Sequence, residues 1–254
     1  MNGAANLEPE IAALDGHEIP AHGCFRSVPI AEGYEHWAPS YDHAPNPLLA
    51  REERYLSPLL VDMRDKRMLD LACGTGRWLE RLMEQSQSGV GIDCSSAMLR
   101  VAATKSVITG RLARAACERL PFRTATFDLA ICSFAIGHVE DLGLMVRELA
   151  QVMKRGADVF VSDLHPEAFL RGWRVGFRDE TSAFQIEMRP RTTEETIRVF
   201  NSNGFECLAS EALSLGEPEK PIFARAGKNH SFAKACQVPA ILVCHFKRLD
   251  SPLY

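Results

Sequence analysis

The segment Leu69-Asp70-Leu71-Ala72-Cys73-Gly74-Thr75-Gly76 constrains this chain most. Its apolar start reads as a buried strand, its glycines as a tight turn, and Leu79, Leu82 and Met83 then recur at helical spacing. A strand that passes through a glycine turn into a helix belongs to a parallel α/β sheet. It also brings free helix N–H groups and a closely approachable backbone to one spot, which suits a ligand. The missing residues narrow the ligand. A dinucleotide-binding turn carries a third glycine where this chain has Leu79, and no phosphate-binding lysine follows the loop. The turn suits a ligand with an adenosine and a carboxylate but no phosphate.

The same texture continues on both sides. Between Lys66 and about Asp163 short apolar runs alternate with amphipathic helices, the pattern of a parallel sheet with helices on both faces. Seven strands are expected, at 68–72, 90–93, 112–116, 127–133, 159–163, 205–213 and 241–247. Helix signals are equally explicit. Asn46-Pro47 fixes the turn into a helix from about Leu48, and Ser95 caps the helix carrying Met98. Asp141 caps a helix whose buried stripe runs from Leu142 through Met145, Val146, Leu149 and Val152 to Met153, closed by Lys154, Arg155 and Gly156. Thr192 to Glu195 forms a capping box for a helix carrying Ile197 and Phe200. Near the N-terminus, Leu7, Ile11 and Leu14 have helical spacing.

Composition excludes several function classes. With 29 basic and 33 acidic residues the net charge is −4, without the basic excess of a dedicated nucleic-acid binder. Hydrophobic residues at 46% and charged residues at 24% fit a globular chain, and no run reaches the ~18 apolar residues of a membrane span. The N-terminal segment has neither a basic start nor an apolar signal core, and the eight cysteines never form CxxC, so the chain reads as a cytoplasmic protein with reduced thiols and no metal site.

The second expected strand ends in Val90-Gly91-Ile92-Asp93, which places a carboxylate where ribose hydroxyls are bound in nucleotide-binding sheets. Taken in order and spacing, LDLACGTG, VGIDCSSAML, ERLPF and FDLAICSFAIGHVED resemble the class I S-adenosylmethionine-dependent methyltransferases, in particular a quinone-biosynthesis-like branch acting on small molecules. The resemblance covers residues 66–163 well and 33–65 loosely. It implies a Rossmann-like seven-stranded, mostly parallel sheet with an antiparallel last strand and an N-terminal helical lid. Residues 1–60 are then an arm and lid, and 61–254 a single domain with substrate-side insertions at 164–192 and 215–239.

The resemblance also implies roles residue by residue. Asp70, Ala72, Gly74 and Gly76 hold the methionine part of S-adenosylmethionine, Asp93 the ribose, with Cys94 and Met98 beside the adenine and Ser133 beneath the sulfonium. One departure stands out. Where the family commonly has Gly-Asp-Ala-Glu before Leu-Pro-Phe, this chain has Ala115-Ala116-Cys117-Glu118, so adenine recognition falls to the backbone near Cys117 or to Glu118. Tyr34, Trp37 and Tyr41 resemble an aromatic lid, able to attract a sulfonium and exclude water, though they are also plausible packing anchors.

The expected reaction is in-line displacement, for which a general base is optional. Candidate bases are His138 and His165, each following a strand end, with Asp163 placed to orient His165. Trp173, with Phe177, Phe184 and nearby arginines, is a candidate acceptor contact or a packing residue. The acceptor is expected to be a small molecule methylated on oxygen, nitrogen, carbon or sulfur by a monomer or homodimer. Methylation of a protein or RNA, and a non-catalytic cofactor-binding module, remain as alternatives. The cysteines Cys73, Cys94, Cys117 and Cys132 all fall near strand ends and are expected to surround the cleft.

Overall fold

The computed structural model describes residues 26–43, 45–63, 65–83, 88–178 and 182–250. The strands are β1 (Arg26–Val28), β2 (Met68–Leu71), β3 (Gly89–Asp93), β4 (Leu112–Arg114), β5 (Phe127–Ser133), β6 (Met153–Leu164), β7 (Gly176–Arg178), β8 (Ala183–Ile186), β9 (Phe205–Ser214) and β10 (Pro239–Arg248). The α-helices are α1 (Ile30–Trp37), α2 (Pro47–Leu60), α3 (Arg77–Met83), α4 (Ser96–Ala102), α5 (Leu142–Val152), α6 (Pro166–Leu170), α7 (Thr193–Ser202), α8 (Lys220–Arg225) and α9 (Asn229–Ala235).

Seven strands form the main sheet in the order β4-β3-β2-β5-β6-β10-β9. Only β10 runs against its neighbours. Its center is apolar on both faces because both are covered by helices: every residue of β2 is buried, as are Leu129 through Cys132 of β5. Leu71, Phe127, Cys132 and Val161 pack with Met145 and Leu149 of α5 and Phe200 of α7 on one face. Met68, Ile131 and Phe160 pack with Leu56, Leu79, Phe223 and Phe232 from α2, α3, α8 and α9 on the other.

Most helix signals hold. Asn46 Oδ1 accepts from Leu48 N at 2.9 Å, Ser95 Oγ from Met98 N at 3.3 Å, Asp141 Oδ1 from Leu144 N at 2.8 Å and Thr192 Oγ1 from Glu195 N at 3.0 Å. The Glu195 carboxylate is turned to Arg191, 2.8 Å away, rather than back to complete the capping box. Some boundaries differ from the sequence reading, chiefly at β6, which begins at Met153 rather than Val159. Met153 already belongs to β6, and α5 ends at Val152, because pairing of β6 with β5 begins at Met153 opposite Phe127. The spacing of Leu7, Ile11 and Leu14 falls outside the described residues.

A second sheet was not foreseen. β1 pairs in parallel with β8, which pairs antiparallel with β7, so the segment before α1 and the segment after β6 form one layer. Trp37 of α1 stacks on Phe177, which stacks on Phe184, with ring centroids 5.3 and 4.9 Å apart. α1 is therefore packed onto this small sheet. Among the described residues no helix is long and apolar enough to cross a membrane.

Candidate active site

A cleft of about 650 Å³ lies at the C-terminal ends of β2, β3, β4 and β5. In a parallel sheet the loops leaving these ends diverge and leave a crevice, where ligands of such folds bind. Tyr34, Tyr41, Ala72, Gly74, Asp93, Cys94, Met98, Cys117, Glu118 and His138 all line it.

The two glycines of the loop have different tasks. Gly74 has φ +55°, and a Cβ there would meet no protein atom within 4 Å, so its bare face opens on the cleft. Gly76 has φ +80°, and a Cβ would come within 2.5 Å of Ile108 Cδ1; it permits packing rather than ligand approach. Ala72 and Phe134 adopt positive φ without being glycine, at +57° and +51°, and both line the cleft. Such backbone strain concentrates at ligand sites.

Asp93 Oδ2 accepts from Gly74 N and Oδ1 from Ser95 N, each at 2.8 Å, so the carboxylate ties the glycine loop to the start of α4. Burial pushes its pKa above the ordinary carboxylate range. Asp70 lies beneath the cleft rather than in its wall. It accepts from Leu79 N at 2.9 Å, which caps α3 from inside the sheet, and burial raises its pKa to about 7. Ala116, Cys117 and Glu118 line the end of the cleft beyond Asp93, beside Arg114, whose Nε donates to Cys94 O at 3.0 Å.

At the opposite end Tyr34 OH lies 2.9 Å from His138 Nε2, with the rings edge to face. Burial lowers the His138 pKa to about 4, so the ring is neutral at pH 7. Burial likewise pushes the Tyr34 hydroxyl well above its ordinary value. Phe134, Ala135, Val139, Met188 and Arg189 complete this wall, none of them singled out from sequence. A narrower chamber adjoins the cleft across Tyr34, Tyr41 and Phe134, and Trp37 and Arg174 line it.

Several sequence expectations are not met in the structure. His165 does not line the cleft; its Nδ1 accepts from Glu167 N at 3.1 Å and caps α6. Asp163 is turned away from His165 and accepts instead from Gly137 N and Leu164 N, both at 2.7 Å. Burial raises Asp163 to about 6. Trp173 is 2% exposed in the core packed with α2 and α3, away from the cleft. No residue of 215–239 lines the cleft; Phe223 and Phe232 enter that same core, and Glu219 receives Arg54 at 2.8 Å. Of the four strand-end thiols, Cys94 and the buried Cys117 line the cleft, whereas the buried Cys73 and Cys132 do not. Among the described residues no group of three or more His, Cys, Asp or Glu could hold a metal ion.

Ser133 is also outside the cleft wall. Its hydroxyl donates to Glu52 Oε1 at 2.7 Å and accepts from Arg77 Nη2 at 3.1 Å. Glu52 is fully buried on α2 and also accepts from Arg77 Nη2, Trp78 Nε1 and Ser162 Oγ. The sequence carried a signal for this cluster. Leu48, Glu52, Leu56 and Leu60 repeat every four residues on one helix face, and a carboxylate interrupts an otherwise apolar stripe.

Residues 69–161 match a sequence family described as a methyltransferase domain. The chain is 31% identical over 153 residues to the ubiquinone biosynthesis O-methyltransferase of Hahella chejuensis, covering 55% of this chain and 62% of that one. It is 30% identical over 132 residues to the demethylmenaquinone methyltransferase of Lactiplantibacillus plantarum, covering 47% and 56%. The matches thus span under two thirds of these relatives. A crystal structure of an S-adenosylmethionine-dependent methyltransferase from Mesorhizobium loti has the same fold, with a TM-score of 0.59 and 22% identity over 76% of this chain and 97% of that one. Over residues 69–161 the chain is thus similar in sequence to a methyltransferase domain, and its fold is that of an S-adenosylmethionine-dependent methyltransferase of known structure.

Proposed function

We propose that the protein transfers a methyl group from S-adenosylmethionine to a small-molecule acceptor by in-line displacement. One observation carries this reading: the bare face of Gly74, the Asp93 carboxylate and the Tyr34–His138 wall border a single cleft. The residues fit the donor. Gly74 leaves room for its methionine part, Asp93 is placed for its ribose hydroxyls, and the Cys117–Glu118 end for its adenine. S-adenosylmethionine supplies a methyl group already activated on a cationic sulfur. The protein's own residues orient the reactants and exclude water.

Tyr34, Tyr41 and Phe134 form the aromatic boundary against which the acceptor is aligned, and the 164–192 segment adds Met188 and Arg189 on the acceptor side. His138 serves as an orienting partner of the Tyr34 hydroxyl. With a pKa of about 4 it takes up a proton at pH 7 only against roughly 4 kcal/mol. The relatives' names point first to phenolic and quinol acceptors. Incubating the protein with methyl-labelled S-adenosylmethionine and a panel of catechols, hydroxybenzoates and naphthoquinols should yield a labelled small molecule. Label found only on added protein or RNA would overturn the small-molecule reading.

A further inference from the structure

We propose that Glu52 is a positioning residue for the donor site, fixing the helix after the glycine loop, the end of β5 and the end of β6 relative to one another so that donor affinity depends on it. The proposal rests on the cleft being the donor site. Glu52 is 0% exposed, and its two oxygens accept from four side chains: Ser133 and Ser162 on Oε1, Arg77 and Trp78 on Oε2.

Each donor stands next to a part of the cleft. Arg77 and Trp78 open α3 directly behind the glycine loop, and Arg77 also donates to Ser133. Ser133 precedes the strained Phe134, whose N–H donates to Ser162 O at 2.8 Å. Ser162 precedes Asp163, which in turn holds Gly137 N beside His138. One carboxylate from α2 therefore joins the segments that carry Gly74, Phe134 and His138. Displacements of about 1 Å at such positions are enough to impair binding or alignment.

The residue type supports a geometric role over a purely stabilising one. Leu48, Leu56 and Leu60 show that this face of α2 packs well with leucine, and apolar replacements of buried ion pairs are often neutral or stabilising. A carboxylate supplies what leucine lacks, four directed acceptor positions at the crossing of three segments.

The test is calorimetric titration of S-adenosylhomocysteine into the wild type, Glu52→Leu, Glu52→Gln and Ser162→Ala, each held well below its own melting temperature. Glu52→Leu is expected to bind at least tenfold more weakly. Glu52→Gln, whose amide can still accept from Arg77 and donate to the serines, should recover most of that loss, and Ser162→Ala should lose about threefold. If Glu52→Leu does not fold, Ser162→Ala decides by the same criterion. A purely structural Glu52 would lower melting temperatures while every folded variant bound within twofold of the wild type, and that result overturns the proposal. A wild type that binds nothing overturns the donor site itself and the role of Glu52 with it.

Discussion

Two aspartates five residues apart on β6 lie near opposite ends of the sheet and are treated in opposite ways. Asp158, midway along the strand and opposite Lys247 of β10, is 3% exposed and meets three basic side chains, Lys66, Lys247 at 2.9 Å and His245 at 3.0 Å. Burial pushes its pKa up, but hydrogen bonds from His245, Lys66 and Lys247 outweigh this and hold it below the usual carboxylate range. Asp163, at the cleft end, is 5% exposed and held by backbone N–H groups alone; burial wins and raises it to about 6. Asp70 follows Asp163, at about 7. The base of the sheet is thus arranged for stability. At the cleft end burial outweighs the backbone hydrogen bonds to Asp70 and Asp163 and, at Asp70, the nearby Arg77 charge.

The signs of the pH dependence differ accordingly. Asp158 contributes stability that is complete above its unfolded pKa near 4 and is lost as pH falls below it. Asp70 and Asp163 contribute stability that is complete below pH ~4 and is lost as pH rises through about 6 to 7.

Substitutions at the two ends should separate ligand binding from stability. The largest effect is expected at Gly74, where valine fills the ligand face at φ +55°. Gly74→Val should weaken S-adenosylhomocysteine binding by at least 100-fold in calorimetry, about 2.7 kcal/mol. At the other end, Asp158→Asn leaves two lysines without their carboxylate. It should cost about 2 kcal/mol in urea unfolding at pH 7, moderated by the partial exposure of those lysines, with donor affinity unchanged. Equal losses of affinity in both variants would erase the division between the ends.

Asp70→Asn keeps an acceptor for Leu79 N while removing a charge that burial disfavours. It should stabilise the unliganded protein by about 1 to 2 kcal/mol at pH 8 and leave it unchanged at pH 4. A stability gain independent of pH would assign the effect to packing. The smallest effect is expected at Ala72, where glycine relieves the positive φ: Ala72→Gly should raise stability by about 0.5 kcal/mol, and a loss of stability would mean that the backbone there is unstrained.

The center of the main sheet was legible because β2, β3 and β5 are largely buried and read as apolar runs between glycine turns and capped helices. The cleft wall at Gly74 and Asp93 was legible for the same reason, since both residues sit at strand ends fixed by that pattern. The small sheet was not. Its strands are three or four residues long, and β1 finds β8 about 160 positions away, which no local periodicity records. His165 was misjudged because a residue before proline at a helix start is as well suited to capping as to catalysis, and the backbone uses it for the former. Trp173 was misjudged because an aromatic among arginines looks the same in sequence whether it faces a ligand or the core. Glu52 escaped notice because the sequence shows a charge on an apolar face but not the four donors that make the charge useful there.

The most direct test is calorimetric titration of the folded wild-type protein with S-adenosylmethionine and with S-adenosylhomocysteine, alongside Asp93→Ala. Saturable binding of both ligands at one site per chain, weakened at least tenfold in Asp93→Ala, is the expected result. Absence of heat with either ligand, in protein shown by circular dichroism to be folded, would contradict the assignment of the cleft as a methyl-donor site.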